Sequence, residues 1–323
     1  MYSILNSFFP SSIEKISFSK CMQSLRIVYY HRINNKTNNI YYFSNPMTLG
    51  VFKKQLNFFQ KNYKIISLTE ARLKALQGDY LGDSLVITFD DGFSDNYHFV
   101  FPELKERQLK ATFFLITNVI DNRDLMWRNK LLVLERLVYN KKELLFKVNE
   151  KYGYNNRESL SLLSSSADWS MKDKEDICNF IWNQSKIESL EKFLEKEKPY
   201  LERWMINEML DNGQEFDIHT ASHPFCNKLT YEELASEIKT SQNYLYDNFN
   251  IVSKYLSYPF GERPSKCFET KLIEEFNLDL LLGINDNLRN KSADVRWERI
   301  GMEKSYERSL MAFNVKSLVN NFF

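Results

Sequence analysis

Glycine, proline and cysteine are all scarce in this sequence of 323 residues, which contains 9 Gly, 7 Pro and 4 Cys. So few glycines and prolines exclude a fibre, and 43% hydrophobic with 26% charged residues is the composition of an ordinary globular chain, not of a disordered one. The formal net charge is only +1, which removes the usual electrostatic argument for nucleic-acid binding. No apolar run approaches the roughly 20 residues of a membrane-spanning helix.

The cysteines and the N-terminus bear on the cellular compartment. The four cysteines are scattered without a CxxC pair, which favours free thiols in a reducing compartment over a disulfide or zinc framework. Residues 1–20 lack a basic start, an uninterrupted apolar stretch and a small-residue cleavage site, so they do not match a secretory signal. We therefore expect a cytoplasmic protein with no transmembrane segment.

Apolar runs alternate with amphipathic stretches, which predicts an α/β fold with a parallel sheet or barrel covered by helices. Continuous apolar runs are typical of parallel strands that are buried on both faces. The predicted strands are LRIVYYHRI (25–33), YKIISL (63–68), SLVITFDD (84–91), KATFFLIT (110–117), EFDIHT (215–220), SKYLSYPFG, LDLLLGI and VRWERIGM. We interpret residues 1–24 as an N-terminal segment and 25–323 as one domain.

The segment from about 122 to 198 is different in character. It is charged and mostly helical in pattern, and a structureless loop of that length is implausible inside a compact domain. We interpret it as a helical insertion. Its tryptophans Trp127, Trp169 and Trp182 must cover something, either a small helical core or sugar rings in a cleft. Residues 305–321 are predicted to form a closing amphipathic helix that docks on the main fold.

The sequence TFDDG (88–92) ends a predicted buried strand. Successive strand residues point in different directions, so Asp90 and Asp91 can serve two purposes, one binding a metal and the other abstracting a proton. Gly92 allows a tight turn directly after them. Taken alone, the motif is equally compatible with a solvated acidic turn.

A second motif, HTASH (219–223), contains two of only four histidines and follows another predicted strand. Histidines at i and i+4 lie on one side of a turn and can bind one divalent metal. One turn of a surface helix produces the same spacing by chance. In combination with TFDDG in an α/β pattern, however, it favours a metal site.

TFDDG, HTASH and Tyr258-Pro259-Phe260-Gly261 together resemble the first three motifs of the NodB-type polysaccharide deacetylases, carbohydrate esterase family 4. The segment around Tyr30-His31-Arg32-Ile33 is also similar to the N-terminal part of many such proteins. The resemblance covers roughly 25–120 and 199–302. It implies a distorted (β/α)7-type barrel, here with a helical insertion, whose metal site lies at the C-terminal ends of the strands.

The resemblance also implies roles for individual residues. Asp91, His219 and His223 are the expected metal ligands, Asp90 the catalytic base, and Thr220 a hydrogen-bonding residue within its motif. The 258–261 segment (Tyr258, Pro259, Phe260, Gly261) is expected to contact the substrate and to supply a backbone N–H to an oxyanion. A site of this donor type suits Zn²⁺, with Co²⁺ or Ni²⁺ as alternatives.

The chain departs from the family pattern at three places. Ser257 stands where the family has an arginine that holds the catalytic aspartate, and we expect Arg299 to replace it, with Arg296 or Arg263 as alternatives. The Asp and Trp of the family's fourth motif are not recognisable. No histidine follows His223, so the usual general acid is missing. We expect His31, at the end of the first strand, to be that acid; a purely structural role is the alternative.

These observations predict a metal-dependent hydrolase that removes an N-acetyl group from an amino sugar or glycan precursor in surface polysaccharide biosynthesis. The expected partner is a carbohydrate, an N-acetylated sugar or oligosaccharide that is lipid-linked or nucleotide-linked, and not a nucleic acid. An acetyl-esterase or deformylase with the same site is the near alternative. A non-catalytic glycan-binding protein of the same fold is the alternative from another class.

Overall fold

The computed structural model describes residues 25–35, 46–79, 81–138, 141–153, 170–284 and 294–303. The predicted N-terminal segment 1–24, the predicted helix at 305–321 and Trp169 lie outside these residues.

Short strands and flanking helices alternate through the described residues, as the apolar pattern predicts. The strands are β1 (Arg26–Tyr30), β2 (Ile33–Asn34), β3 (Met47–Thr48), β4 (Lys64–Ile65), β5 (Ser84–Phe89), β6 (Thr112–Leu115), β7 (Glu215–Ile218), β8 (Tyr255–Ser257), β9 (Leu280–Gly283), β10 (Arg296–Glu298) and β11 (Ile300–Gly301). The α-helices are α1 (Leu49–Asn62), α2 (Leu68–Gln77), α3 (Phe101–Glu106), α4 (Trp127–Leu137), α5 (Lys141–Tyr152), α6 (Met171–Gln184), α7 (Leu190–Glu197), α8 (Arg203–Asp211), α9 (Tyr231–Phe249) and α10 (Lys266–Phe276).

The main sheet is parallel throughout the described residues and closes into a barrel. Its order is β10-β9-β8-β7-β6-β5-β1-β11, with β4 on the edge of β5 and β2–β3 as a separate pair. The two ends of this order are consecutive in the chain: β10 pairs with β9, and β11 pairs with β1. The segment Arg296–Gly301 therefore joins both edges of the sheet, with Arg299 between its two strands. The expected distorted barrel with surrounding helices is confirmed.

The barrel is filled by side chains from its strands. Strand β5 is buried at every position, and Phe89 stacks between Tyr30 and Phe113 at ring-centroid distances of 5.3 and 5.0 Å. Helix α9 begins with a capping box: Thr230 Oγ1 accepts a hydrogen bond from the Glu233 N–H, and the Glu233 carboxylate accepts one from the Thr230 N–H. Because all strands are parallel, their C-terminal ends meet on one face of the barrel.

Helices α4 to α7 occupy the region predicted to be an insertion and build a second apolar core. Trp127 and Trp182 are both buried in it, together with residues such as Leu131, Ile177 and Ile181. These two tryptophans therefore pack a helical core and do not present open faces to a sugar. No helix among the described residues is long and apolar enough to cross a membrane.

Candidate active site

Asp90 and Asp91 lie where β5 ends, and the backbone conformation there points their side chains in different directions. The Asp90 N–H still donates to the Tyr30 carbonyl at 2.8 Å, so Asp90 continues the sheet. Asp91 and Gly92 then both adopt positive φ values of 71°. A Cβ on Gly92 would lie 2.9 Å from Leu115 Cδ2, so any other residue here would adopt a strained conformation and would force Leu115 to move. This turn directs two adjacent carboxylates to different partners.

His219 and His223 lie in a tight turn after β7, not on a helix. The turn has positive φ at Thr220 (67°) and His223 (62°), and the His223 N–H donates to Thr220 Oγ1 at 3.1 Å. Glu237 of α9 accepts hydrogen bonds from the N–H groups of Ala221 and Ser222 at 2.9 and 2.8 Å. The turn that carries both imidazoles is thus fixed at its centre by one carboxylate.

Asp91, His219 and His223 form a cluster suited to a metal ion. Their ligand atoms all lie within 4.8 Å of one another. Asp91 Oδ1 is 3.4 Å from His219 Nε2 and 3.3 Å from His223 Nε2, and it is buried without a hydrogen-bond partner among the described residues. Ligand atoms that each lie about 2.1 Å from one tetrahedral ion are separated by about 3.4 Å. The donor set and its spacing therefore fit a divalent cation.

The protonation states at this cluster also favour a metal. His219 Nδ1 lies 2.8 Å from the Ser257 carbonyl, which fixes the proton on Nδ1 and leaves Nε2 as an electron-pair donor. Burial lowers the pKa of His223, which favours its neutral form. Burial raises the pKa of Asp91, but its contacts with His219 and His223 lower it more, so the carboxyl stays ionised. One carboxylate and two imidazoles are a donor set that a zinc-type ion binds.

Asp90 is held by Arg299. Arg299 Nη1 donates to Asp90 Oδ1 at 2.7 Å and Nη2 donates to Oδ2 at 2.8 Å. Arg299 Nη2 also donates to Ser257 Oγ at 2.7 Å, and that hydroxyl lies 3.4 Å from both Asp90 oxygens. Burial raises the pKa of Asp90, but Arg299, together with His219 and His31, more than offsets this and holds the pKa below its usual value. The structure thus pairs Arg299 with Asp90, and Ser257 is the third residue of this hydrogen-bonded group.

Arg296 and Arg263, the other two candidates for this position, lie elsewhere. Both bind Glu269, and Arg263 also binds Glu298. They form a separate network along β9 and β10.

His31 lies at the end of β1 and lines the same cavity as the aspartates. Its Nδ1 is 2.6 Å from Glu303 Oε2, while Glu303 Oε1 accepts the N–H groups of His31 and Arg32. Burial lowers the pKa of His31, but the charge and hydrogen bond of Glu303 outweigh it and raise the pKa to about 10. His31 is therefore protonated at neutral pH and about one third exposed.

The 258–261 turn forms one wall of the cavity. The Tyr258 N–H donates to the Leu282 carbonyl, and the Gly261 N–H donates to the Tyr258 carbonyl. Pro259 has no N–H, so the N–H of Phe260 is the remaining candidate oxyanion donor of this segment. Phe260 has a φ of 58°, a conformation that non-glycine residues adopt at a cost and that occurs often at functional turns.

The cavity measures about 500 Å³ and is closed on one side by the helical region. Met126, Arg128, Asn129 and Leu132, at the start of α4, line it opposite the barrel. Trp127 Nε1 donates to the His223 carbonyl at 3.1 Å, so α4 is attached directly to the turn that carries the histidines.

Several of these contributions were not predicted from the sequence. Glu303 and Glu237 have no local motif, and Glu303 is 272 residues from the histidine it binds. Ser257 could be identified as a departure from the family pattern but not as a partner of Arg299. The contribution of α4 to the cavity wall had no sequence signal either.

Comparisons with known proteins place the chain in one family and one fold. A sequence model described as polysaccharide deacetylase matches residues 77–145 and 180–277, just over half of the chain. The gap between the two matched blocks falls within 122–198. The putative polysaccharide deacetylase YxkH of Bacillus subtilis (strain 168) is 33% identical over 105 residues, which are 31% of this chain and 34% of that protein. The chain therefore aligns with about a third of the length of this curated relative.

Solved structures show the same fold. The Streptococcus pyogenes deacetylase PplD in complex with acetate has a TM-score of 0.59 at 17% identity, covering 90% of this chain and 97% of its own. IcaB from Ammonifex degensii has a TM-score of 0.60 at 14% identity, with the same two coverages of 90% and 97%. At these identities the likeness concerns the fold alone.

Proposed function

Because this chain belongs to the polysaccharide deacetylase family, as its motifs led us to expect, we propose that it is a metal-dependent hydrolase that removes an N-acetyl group from an amino sugar in a glycan or glycan precursor. The observation that carries the proposal is the arrangement of Asp91, His219 and His223 within 4.8 Å, beside a second carboxylate, Asp90, that Arg299 keeps ionised. A role in surface polysaccharide biosynthesis is part of the proposal. The cytoplasmic location expected from the cysteine pattern stays a prediction.

Asp91, His219 and His223 are the residues that would hold the metal, Zn²⁺ or alternatively Co²⁺ or Ni²⁺. A metal in this place would polarise the acyl carbonyl and lower the pKa of a water molecule. Asp90, which is not needed as a ligand, is the general base that takes the proton from the attacking water. Its lowered pKa keeps it unprotonated at neutral pH.

Two further residues complete the proposed reaction. The Phe260 N–H donates to the oxygen that becomes negatively charged when the amide carbonyl is attacked. His31, protonated through its contact with Glu303, gives its proton to the nitrogen of the leaving amine. The C–N bond then breaks, and acetate and the free amino sugar are released. Arg299 does not touch the substrate in this scheme; it positions Asp90.

Acetate release from purified, zinc-loaded protein tests the proposal. The panel contains N-acetylglucosamine, chitooligosaccharides, a nucleotide-linked N-acetyl amino sugar, an O-acetyl sugar and an N-formyl sugar. We expect release from an N-acetyl substrate, its loss after chelation and recovery with zinc. Asp90→Asn should retain the metal and lose about 10²- to 10⁴-fold in turnover.

The alternatives give different outcomes in the same assay. Preferred release from the O-acetyl or N-formyl sugar identifies an esterase or a deformylase. Sugar binding without any release, unchanged in Asp90→Asn, identifies a glycan-binding protein.

A further inference from the structure

One positive charge in the cavity is not used by the proposed reaction. Arg128, the second residue of α4, comes from the helical region and not from the barrel. Its guanidinium carbon lies 5.3 Å from the centre of the Phe260 ring, and that ring lies 4.6 Å from the ring of His223. A single aromatic side chain therefore separates Arg128 from a proposed metal ligand.

The carboxylates of the cavity already have other partners. Asp90 is bound by Arg299, Glu303 binds His31, and Asp91 faces the two histidines. Among the residues that the structure describes, no ion pair includes Arg128, and no carboxylate lies within 4.0 Å of its guanidinium. Arg128 is thus an exposed cation in the cavity whose charge the described part of the protein does not neutralise.

The aromatic wall beside Arg128 is unsuited to stacking a neutral sugar. Phe260 stacks on Phe225 at 4.3 Å, with an interplanar angle of 21°. Arg128 lies over the Phe260 ring, and His223 meets that ring in a T-shaped contact. A sugar ring entering here would therefore contact a guanidinium before it contacted an open aromatic face.

We propose that Arg128 binds an anionic oxyacid group of the substrate, a phosphate or a carboxylate carried by the N-acetylated sugar or by its neighbour. A guanidinium donates two parallel hydrogen bonds to such a group, which fixes its orientation as well as its charge. The inference rests on the proposed function and restricts its substrate to acidic amino sugars. Arg128 would contribute to binding and selectivity and not to bond breaking.

The test compares neutral and acidic forms of one sugar. The probes are N-acetylglucosamine, its 1-phosphate, its 6-phosphate and N-acetylglucosaminuronic acid, which separate phosphate from carboxylate recognition. The zinc-loaded proteins are the wild type and the variants Arg128→Gln and Arg128→Lys. The control is Arg136→Gln, which removes the same charge from the exposed surface at the other end of α4. Acetate release gives kcat and KM, and ligand-observed NMR with the same proteins gives binding independently of turnover.

We expect at least one acidic probe to bind better than N-acetylglucosamine. Arg128→Gln should raise the KM for that probe by about tenfold or more, with kcat changed less than about twofold, because a charge-assisted hydrogen bond is lost. Arg128→Lys should retain part of the preference for the acidic probe over N-acetylglucosamine, and Arg136→Gln should retain all of it. Added salt should weaken this preference in the wild type.

Two results would overturn the inference. Equal losses on neutral and acidic probes would make Arg128 a packing partner of Phe260. The absence of any preference for an acidic probe would remove the anion site. In both cases acetate release would still support the proposed function. Conversely, Arg128-dependent binding of an acidic probe without acetate release from any probe would contradict the proposed function and support the anion site.

Discussion

Arg299 binds both carboxylate oxygens of Asp90 from the point where the barrel closes. The two nitrogen-to-oxygen distances are 2.7 and 2.8 Å, and both side chains are buried. Arg299 lies between β10 and β11, the strands at the two ends of the sheet order. The residue that completes the barrel therefore also fixes the charge and orientation of the proposed catalytic base.

Replacing Arg299 by lysine should affect turnover more than substrate binding. Lysine keeps the charge but cannot donate two parallel bonds, so Asp90 loses its orientation. We expect kcat to fall about 10- to 100-fold with little change in KM. The pKa of Asp90 should rise, so the acidic limb of the pH–rate profile should move to higher pH. Arg296→Lys, in the neighbouring network, is the control; an acidic limb that stays in place would argue against Arg299 as a positioning residue.

Metal binding should depend on the two histidines of the 219–223 turn and not on histidine content in general. His219→Ala and His223→Ala should each lose most of the bound zinc, as measured by elemental analysis of the purified protein. His98→Ala is the matched control, because His98 is exposed and does not line the cavity. Unchanged zinc content in both turn variants would remove the metal assignment.

His31→Gln separates a general acid from a structural histidine. An amine leaves an amide poorly without a proton, so we expect a loss of about 10²-fold or more on the N-acetyl sugar. On an activated acetyl ester, whose leaving group needs no proton, the loss should be small. Equal losses on both substrates, or loss of bound zinc, would assign His31 to the scaffold.

The alkaline limit of amide hydrolysis should depend on Glu303. Glu303, with smaller contributions from Asp91 and Asp90, raises the pKa of His31 to about 10. The proposed acid therefore stays protonated through neutral pH, and activity should fall only when the pH rises through that value. In Glu303→Gln the pKa of His31 should drop, and the alkaline limb of kcat should move to lower pH. Glu232→Gln, an exposed change of the same charge, should leave the limb unmoved. An unmoved limb in Glu303→Gln would contradict this role.

Gly92 should be intolerant of alanine because of its position after the aspartates. Its φ of 71° costs an L-residue about 1–2 kcal/mol, and the added Cβ would come within 2.9 Å of Leu115. We expect Gly92→Ala to lower the free energy of unfolding by at least that amount in urea denaturation. Gly50→Ala is the control, since nothing lies within 4 Å of its Cβ and it lies in α1. Equal stability of the two variants would contradict the strain.

Much of the fold could be predicted from the sequence because its signals are local. Buried parallel strands produce continuous apolar runs, and β5 to β9 lie within the segments so predicted. The capping box at Thr230 places the start of α9. TFDDG and HTASH each follow such a run, and in a parallel barrel both necessarily reach the same face. The common location of Asp90, Asp91, His219 and His223 therefore followed from sequence order alone.

The tertiary structure alone decided which distant side chains meet these motifs. By sequence, any of three arginines could have been the partner of Asp90. The closure of the barrel between β10 and β11 brings Arg299 to it. Glu303 reaches His31 for the same reason, since β11 pairs with β1. Arg128 enters the cavity because α4 packs against the histidine turn through Trp127. Local periodicity carries no information about such contacts, because they depend on how separate elements close and pack in space.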